Sequence, residues 1–209
     1  ATHAAEKSLI FYILDGSGSM WGRVDGKIKI QTAKEVMTTL IKETPDGIDC
    51  GIMVYGHRKK GDCADIEMIV PIGPLQKEMA IEKINRISPK GKTPISASIS
   101  MAVDQIKGHE AASTIVLVSD GIETCGKDPC EVVKKLKGSG INFVMHVVGF
   151  NVKADAAKQL ACIAEAGGGN YFSTTNATDL LAAMNQIKQS VVEKKEIAPP
   201  PPTPEPKVI

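Results

Sequence analysis

The most restrictive feature of the sequence is a regular alternation of short apolar segments with longer segments that carry apolar residues at helical spacing. Ser8–Leu14 and Thr114–Ser119 are almost entirely apolar, as is typical of parallel strands that helices cover on both faces. From Ile30 to Ile41 the apolar residues recur at helical spacing, and a turn at Pro45–Gly47 ends that pattern. The alternation predicts an α/β fold with an open, mostly parallel, doubly wound sheet and helices on both faces.

One strand of this sheet is expected to be antiparallel to its neighbour. Asp49–Tyr55 and Ile66–Pro71 are both predicted strands, and the basic loop between them is too short for the helical crossover of a parallel connection. Further helices are predicted at Glu78–Ile87, Ile95–Ile106, Pro129–Leu136, Ala154–Ala166 and Ala177–Val192, and further strands at Ile141–Val148 and Asn170–Ser173.

The composition is that of one globular domain with a tail. We place an N-terminal extension at residues 1–7, the domain at residues 8–193 and a proline-rich linker or tail at residues 194–209. Ala198–Pro206 favours extended polyproline II and is interpreted as a stiff spacer, the alternative being a ligand for a proline-binding module. The formal net charge of +1 argues against nucleic-acid binding. No segment approaches the ~20 consecutive apolar residues of a membrane-spanning helix.

The five cysteines allow two interpretations. Cys125 and Cys130 lie in TCGKDPC, where a glycine and a proline could turn the chain back and bring the two sulfurs together. We expect a disulfide there, which would place the protein in an oxidising compartment: periplasmic, secreted or at the cell surface. The alternative is that all five cysteines are reduced, with Cys50 and Cys162 as ordinary core residues.

The loop after the first predicted strand has the composition of a ligand site. Asp15, Ser17 and Ser19 offer oxygen side chains at alternate positions, at the strand end where open parallel sheets bind ligands. Residues two apart in an extended chain are ~6.8 Å from each other, whereas two oxygens on one Mg²⁺ are at most ~4.2 Å apart. The loop must therefore curl around an ion, and we expect Gly16 and Gly18 to permit this by accepting positive φ.

The sequence of this loop allows two other interpretations. Nucleotide binding is disfavoured because Gly16, Gly18 and Gly22 have the spacing G-x-G-x-x-x-G rather than G-x-G-x-x-G, and Asp15 would repel a pyrophosphate. The remaining alternative is a flexible turn that caps the next helix, since serine and aspartate are good caps.

Two more segments accompany the loop: Thr93–Pro94 before a helix, and Asp120–Gly121 after the most apolar predicted strand. DxSxS, Thr-Pro and Asp-Gly in this order resemble the von Willebrand factor type A family, from about Ser8 to Val192. Bacterial members with DGSGSMWG, YGHR and ETCGKDPC in similar places are the more similar ones. The resemblance implies a Rossmann-like sheet of order 3-2-1-4-5-6 with an antiparallel edge strand, and a metal-ion-dependent adhesion site.

The resemblance also implies a role for each site residue. Ser17 and Ser19 would be direct ligands, Thr93 and Asp120 would bind directly or through water, and Asp15 would act mainly through water and hydrogen bonds. Hard oxygen ligands favour Mg²⁺, with Mn²⁺ or Ca²⁺ as alternatives. We expect a non-enzymatic domain whose metal receives a Glu or Asp carboxylate from a protein partner.

Alternatives to this function stay open at the level of sequence. The domain could be a scaffolding subunit for an ATPase or an envelope complex, or, less favoured, a metal-dependent phosphohydrolase. Trp21, His57 and Arg58 are candidate partner contacts on the rim of the site. The basic cluster that contains His57 and Arg58 could equally be a solvated loop, and Trp21 could pack beside the first helix.

Overall fold

The computed structural model describes residues 8–109 and 113–197, so the predicted extension 1–7 and the segment Ala198–Pro206 lie outside the described residues. The strands are β1 Leu9–Asp15, β2 Arg23–Val24, β3 Lys27–Ile28, β4 Asp49–Tyr55, β5 Ile66–Pro74, β6 Ser113–Ser119, β7 Phe143–Phe150 and β8 Gly168–Thr174. The α-helices are α1 Lys29–Glu43, α2 Lys77–Asn85, α3 Ile95–Ile106, α4 Pro129–Gly138, α5 Ala154–Ala166 and α6 Ala177–Ile197.

The main sheet has six strands in the order β5-β4-β1-β6-β7-β8. Among the described strands of this sheet, β5 alone runs antiparallel to its neighbour, and the other four pairings are parallel. Numbered within the sheet, this is the order 3-2-1-4-5-6, which confirms the predicted fold class and its antiparallel edge strand. The order reverses between β1 and β6, so the loops that follow these two strands meet at one edge of the sheet.

The central strand β1 is buried along its whole length. Ile10, Tyr12 and Leu14 pack into a core formed with α1, α2 and α6. Phe11 and Ile13, on the opposite face, pack into a core formed with α3, α4 and α5. Burial on both faces explains why this segment is apolar up to Leu14. It also fixes the position of Asp15, the last residue of the strand.

Several boundaries differ from the sequence-based prediction. A short β2–β3 hairpin was not predicted; Asp25 and Gly26 form its turn with φ of 49° and 79°, as two-residue hairpin turns require. The last strand begins at Gly168 rather than at Asn170, because the glycine run is part of it. A Cβ at Gly169 would lie 2.1 Å from the carbonyl oxygen of Met145, so only glycine allows this close strand approach.

The expected disulfide between Cys125 and Cys130 is wrong. Cys63 bonds to Cys125, and Cys130 bonds to Cys162. Cys162 is therefore not an ordinary core residue, whereas Cys50 is free and buried. The inference that the chain contains disulfides is confirmed, with a different connectivity.

The start of α4 explains the true pairing. The Asp128 carboxylate caps the helix by accepting a hydrogen bond from the N–H of Cys130, which lies in the first turn and is buried. The Cys130 sulfur reaches α5, where it bonds to Cys162. Cys125 lies before the cap, in the β6–α4 loop, and its sulfur meets Cys63 of the β4–β5 loop. Sequence proximity within TCGKDPC thus does not make the two sulfurs neighbours.

The helix-to-helix disulfide is expected to stabilise the whole domain. Replacement of both Cys130 and Cys162 by serine should lower the free energy of unfolding by about 3 kcal/mol, because the bridge closes a long loop in the unfolded chain. Denaturant unfolding followed by circular dichroism measures this loss. Peptide mapping of the unreduced parent should recover the Cys130–Cys162 and Cys63–Cys125 pairs; recovery of a Cys125–Cys130 pair would contradict the assignment.

Candidate metal site

Three loops meet at the carboxyl edge of the sheet, near the point where the strand order reverses. The first follows β1, the second precedes α3 and the third follows β6. In the first loop the chain curls into a short 3₁₀ helix, Gly18–Trp21. The Ser17 and Ser19 hydroxyl oxygens are 3.0 Å apart, and the Ser19 hydroxyl donates to Asp120 Oδ1 at 2.5 Å. Folding therefore brings oxygen side chains of the first and third loops into direct contact.

The two glycines of the first loop do not act through positive φ as expected. Gly16 is required by close packing, since a Cβ there would lie 2.7 Å from the Tyr55 carbonyl oxygen and 2.8 Å from His57 Cβ. A Cβ at Gly18 would meet its nearest neighbours at 3.8 Å, an ordinary contact distance. The curl of the loop instead comes from the 3₁₀ helix, whose first turn is closed by a hydrogen bond from Met20 N–H to the Ser17 carbonyl.

Asp15 is buried beneath the first loop and is held by the protein on both carboxylate oxygens. Oδ1 accepts from the Ser17 N–H at 2.8 Å. Oδ2 accepts from the Tyr55 hydroxyl at 2.8 Å and from the Ser119 hydroxyl at 2.7 Å. With these donors in place, Asp15 orients the loop and is poorly placed to be the main direct ligand of an ion.

Electrostatics in this buried cluster favour a protonated tyrosine beside the carboxylate. Burial, first, and the charge of Asp120, second, raise the pKa of Asp15, while its hydrogen bonds partly offset this rise. Burial and the neighbouring Asp15 charge raise the pKa of Tyr55 well above its usual range. The Tyr55 hydroxyl consequently remains protonated and available to donate to Asp15.

Thr93 lies between the first and third loops. It is buried, its N–H donates to the Thr124 hydroxyl at 2.8 Å, and its carbonyl accepts from the Thr124 N–H at 3.1 Å. The preceding Gly91 pairs with Ser17 in a parallel bridge, and its carbonyl accepts from the Gly18 N–H at 3.1 Å. The backbone therefore fixes the Thr93 segment to both neighbouring loops.

The oxygen atoms brought together fit a small hard cation. Two ligands at right angles on Mg²⁺ are about 3.0 Å apart, which matches the distance between the Ser17 and Ser19 hydroxyl oxygens. The donor set comprises hydroxyls and carboxylates without histidine or cysteine, which favours Mg²⁺, Mn²⁺ or Ca²⁺ over zinc or copper. Within the described part of the chain, no group of three or more His, Cys, Asp and Glu side chains is arranged for a metal. A cation at this site would therefore depend on the hydroxyls.

Lys29 is a site residue that sequence reasoning missed. It is the first residue of α1, and its Nζ lies 2.9 Å from Asp120 Oδ2. The two side chains are 11% and 0% exposed. A signal for it exists in the sequence, because Lys29 falls at helical spacing with Ala33, Val36 and Leu40 on the buried stripe of α1. A lysine on an apolar stripe requires a buried partner, and Asp120 is that partner.

The three candidate rim residues have different environments. Trp21 is 52% exposed, and its indole N–H donates to the Pro89 carbonyl at 2.8 Å, which holds the ring over the loop before Thr93. His57 is largely buried, with Nε2 2.8 Å from a carboxylate oxygen of Glu67. Arg58 is half-exposed and pairs with Asp65. Burial raises the pKa of Asp65, but hydrogen bonds from the Lys59 N–H and the Arg58 side chain outweigh it, so that the pKa is lowered.

Ile122 is a second exposed apolar residue near the site that sequence reasoning missed. It is 45% exposed and follows Asp120 and Gly121 directly in the third loop. Exposed Trp21 and Ile122 thus stand on the loops that carry the serines and the aspartate. Their positions after DGSGSM and SDG are the available sequence signal.

The sheet order defines a Rossmann-like α/β domain, and the oxygen-lined loops at its switch point form a candidate ligand site at the carboxyl edge. The family model for the von Willebrand factor type A domain matches residues 10–187, and the chain belongs to this family. It is similar to the uncharacterised protein YwmD of Bacillus subtilis (strain 168), with 28% identity over 202 residues that cover 91% of this chain and 90% of YwmD.

Two solved structures share the fold. The vWF domain of the type V pili tip protein Mfa5 from Porphyromonas gingivalis has a TM-score of 0.73 at 13% identity, covering 96% of this chain and 99% of that chain. Proximal thread matrix protein 1 from the mussel byssus, solved with a zinc-occupied MIDAS motif, has a TM-score of 0.68 at 18% identity. The match covers 90% of this chain and 46% of that chain. None of the described helices is long and apolar enough to cross a membrane.

The Cys63–Cys125 disulfide is expected to hold the site loops together. It joins the β4–β5 loop to the loop that contains Thr124, which in turn is hydrogen-bonded to Thr93. Replacement of Cys63 and Cys125 by serine should speed amide exchange at Thr93 and Thr124 on the order of tenfold, because local opening becomes easier. Hydrogen exchange followed by mass spectrometry or NMR measures this.

The matched control for this measurement is the serine pair at Cys130 and Cys162, which removes the disulfide between α4 and α5. That variant should leave exchange at Thr93 close to the parent rate under native conditions. Equal acceleration in both variants would show that the loss of the first disulfide acts only through global stability.

Proposed function

We propose that the domain is a divalent-cation-dependent protein-binding module for adhesion or assembly. Ser17, Ser19, Thr93 and Asp120 would hold the ion, and Asp15 would support them from below. The observation that carries the proposal is the direct contact of Ser17, Ser19 and Asp120 oxygens at the switch point of the sheet. Mg²⁺ is the expected ion, with Mn²⁺ or Ca²⁺ as alternatives, because every donor is a hard oxygen.

The charge of the donor set supports recognition of an acidic residue. Of the two carboxylates, Asp15 is already engaged by protein donors, and Asp120 shares its charge with Lys29. The serine and threonine hydroxyls are neutral. A divalent cation held there would supply an electrophilic position to which a partner carboxylate could bind. We therefore propose a Glu or Asp of a protein partner as the group recognised.

The surface around the site supports a partner segment that is both acidic and apolar. Trp21 and Ile122 expose large apolar side chains. Lys90 and Lys92 of the second loop and Lys127 of the third are exposed and add positive charge on the same loops. Apolar anchors give affinity in protein interfaces, and complementary charge gives specificity and a faster association.

The relatives and the disulfides agree with a role outside the cytoplasm. Mfa5 is a pilus tip protein, and the mussel protein belongs to the byssus and binds zinc at its MIDAS motif. Two disulfides favour a periplasmic, secreted or cell-surface location. We propose residues 8–193 as the binding domain and residues 194–209 as the linker or tail that tethers it.

We further propose that the domain is not an enzyme. Metal-dependent hydrolysis needs a free base beside the ion to activate water. Both oxygens of Asp15 accept hydrogen bonds from the protein, and the His57 imidazole is bonded to Glu67. Neither group is poised as that base, which favours binding over hydrolysis.

Calorimetric titration with Mg²⁺ tests the ion site. The parent is expected to bind one ion, and Asp120→Asn should weaken binding at least about tenfold, since it removes the carboxylate that accepts from the Ser19 hydroxyl. Asp128→Asn is the matched control, because Asp128 caps α4 outside the site. Equal Mg²⁺ binding by the parent and Asp120→Asn would contradict the proposed ligand set.

Selection of random peptides on the immobilised domain tests the partner chemistry. Peptides captured in Mg²⁺ and released by a chelator should be enriched in Glu or Asp beside apolar residues, because the ion binds the carboxylate and Trp21 contacts its neighbours. The Asp120→Asn domain should show no such enrichment. Chelator-released peptides without acidic residues would rule out carboxylate recognition.

A further inference from the structure

We propose that Lys29 is an internal counter-ion that competes with the divalent cation for Asp120 and thereby sets the cation affinity of the site. The inference rests on the proposed function, since it concerns the same site, and it assigns a role to a residue outside the DxSxS, Thr-Pro and Asp-Gly motifs. Lys29 thus becomes an affinity-determining residue that the motif alone does not contain.

The contact between Lys29 and Asp120 is a buried ion pair. Nζ lies 2.9 Å from Oδ2, and Oδ1 accepts from the Ser19 hydroxyl. With side chains that are 11% and 0% exposed, the pair is poorly screened by water. Both oxygens of Asp120 therefore have protein partners, and a cation that binds this carboxylate must compete with an ammonium group for its charge.

The position of Lys29 is fixed by the backbone and by packing. Its N–H donates to the Gly22 carbonyl at 2.8 Å, which attaches the start of α1 to the end of the first loop. Its methylene groups pass beside Gly22, where a Cβ would lie 3.4 Å from Lys29 Cε. The backbone bond and the packing of the side chain therefore position the Lys29 ammonium group next to Asp120.

The ammonium group also has a second acceptor within reach. Nζ lies 3.4 Å from the carbonyl oxygen of Asn151, in the loop after β7. Asn151 adopts φ of 51°, and its N–H donates to the Thr174 carbonyl at 2.7 Å, which holds that loop in place. When a cation takes Asp120, Lys29 can strengthen its bond to Asn151 and remain hydrogen-bonded. The exchange is thus a change of partner for Lys29, with no buried ammonium left without an acceptor.

The net charge of the site explains why this competition matters. Asp15 and Asp120 alone would give the buried site two negative charges, which would hold a divalent cation tightly. Lys29 removes one of these charges and places a like charge near the ion. Weaker binding follows, so that occupancy responds to cation concentration and to the additional carboxylate of a partner.

Lys188 provides a matched control. It is also a buried lysine in an ion pair, with its side chain 9% exposed and Nζ 3.2 Å from Glu43 Oε2. This pair joins α6 to the C-terminal end of α1, whereas Lys29 is at the N-terminal end, ~21 Å away along the helix at 1.5 Å per residue. Its removal reproduces the loss of a buried lysine and its ion pair without touching the site, although the partner Glu43 is 53% exposed.

The test compares Mg²⁺ binding by the parent, Lys29→Met and Lys188→Met in the same calorimetric titration. Lys29→Met should bind Mg²⁺ at least about tenfold more tightly than the parent, and Lys188→Met should bind within about twofold of it. Unchanged or weaker binding by Lys29→Met would overturn the role of Lys29. If the Lys29 result fails but Asp120→Asn abolishes the Mg²⁺ binding seen in the parent, the proposed ion site still stands. If neither the parent nor any variant binds Mg²⁺, both proposals fail.

A second measurement keeps the test independent of how well Lys29→Met folds. In the parent protein, the NMR signals of the Lys29 ε-methylene group should shift as Mg²⁺ is added and saturate with the same affinity as the calorimetric signal. The Lys188 signals should not move. A Lys29 resonance that stays unchanged while Mg²⁺ saturates the site would overturn the competition, whatever the variant shows.

Discussion

The structure depends on the parallel pairing of β1 with β6 at the centre of the sheet, which places two acidic residues at adjacent strand ends. Asp15 ends β1 and Asp120 follows β6 directly, and both are buried. Burial, first, and the like charge of Asp120, second, raise the pKa of Asp15, because both disfavour the ionised carboxylate in a low dielectric. The surrounding donors offset this penalty: Tyr55 and Ser119 for Asp15, and Lys29 for Asp120. The site is best understood as two buried carboxylates, one hydrogen-bonded by neutral donors and the other in an ion pair with Lys29.

Much of the fold followed from local patterns in the sequence. The helices Ile95–Ile106 and Ala154–Ala166 were predicted to the residue, because apolar spacing and the flanking residues agree on their ends. The sheet order came from the family resemblance, and the antiparallel edge from a short connection. The hairpin at Arg23–Ile28 was missed because two-residue strands carry no periodicity. The disulfides were paired wrongly because the partner of Cys125 is 62 residues away in sequence and adjacent only in space.

The sequence predicted that the oxygen side chains of the candidate site would come together, but it did not predict their surroundings. Serine and aspartate oxygens at the strand ends follow from the motif and from the rule that parallel strands converge at one edge. Lys29 was hidden because it belongs to no motif and its partner is 91 residues distant in sequence. Ile122 and the buried state of His57 depend on how loops pack, which periodicity does not encode. The sequence therefore could not reveal the role of residues that reach the site only through tertiary contacts.

The two disulfides have a mechanical consequence for a domain that is pulled by its ends. They close covalent rings spanning 62 and 32 residues of sequence separation, and the larger ring, from Cys63 to Cys125, contains both Thr93 and Asp120. A pulling force on the chain is carried by the two disulfides, so the residues between the bonded cysteines are not extended. Even in a partly unfolded molecule, Thr93 and Asp120 would stay inside the ring closed by Cys63 and Cys125, which limits how far apart they can move.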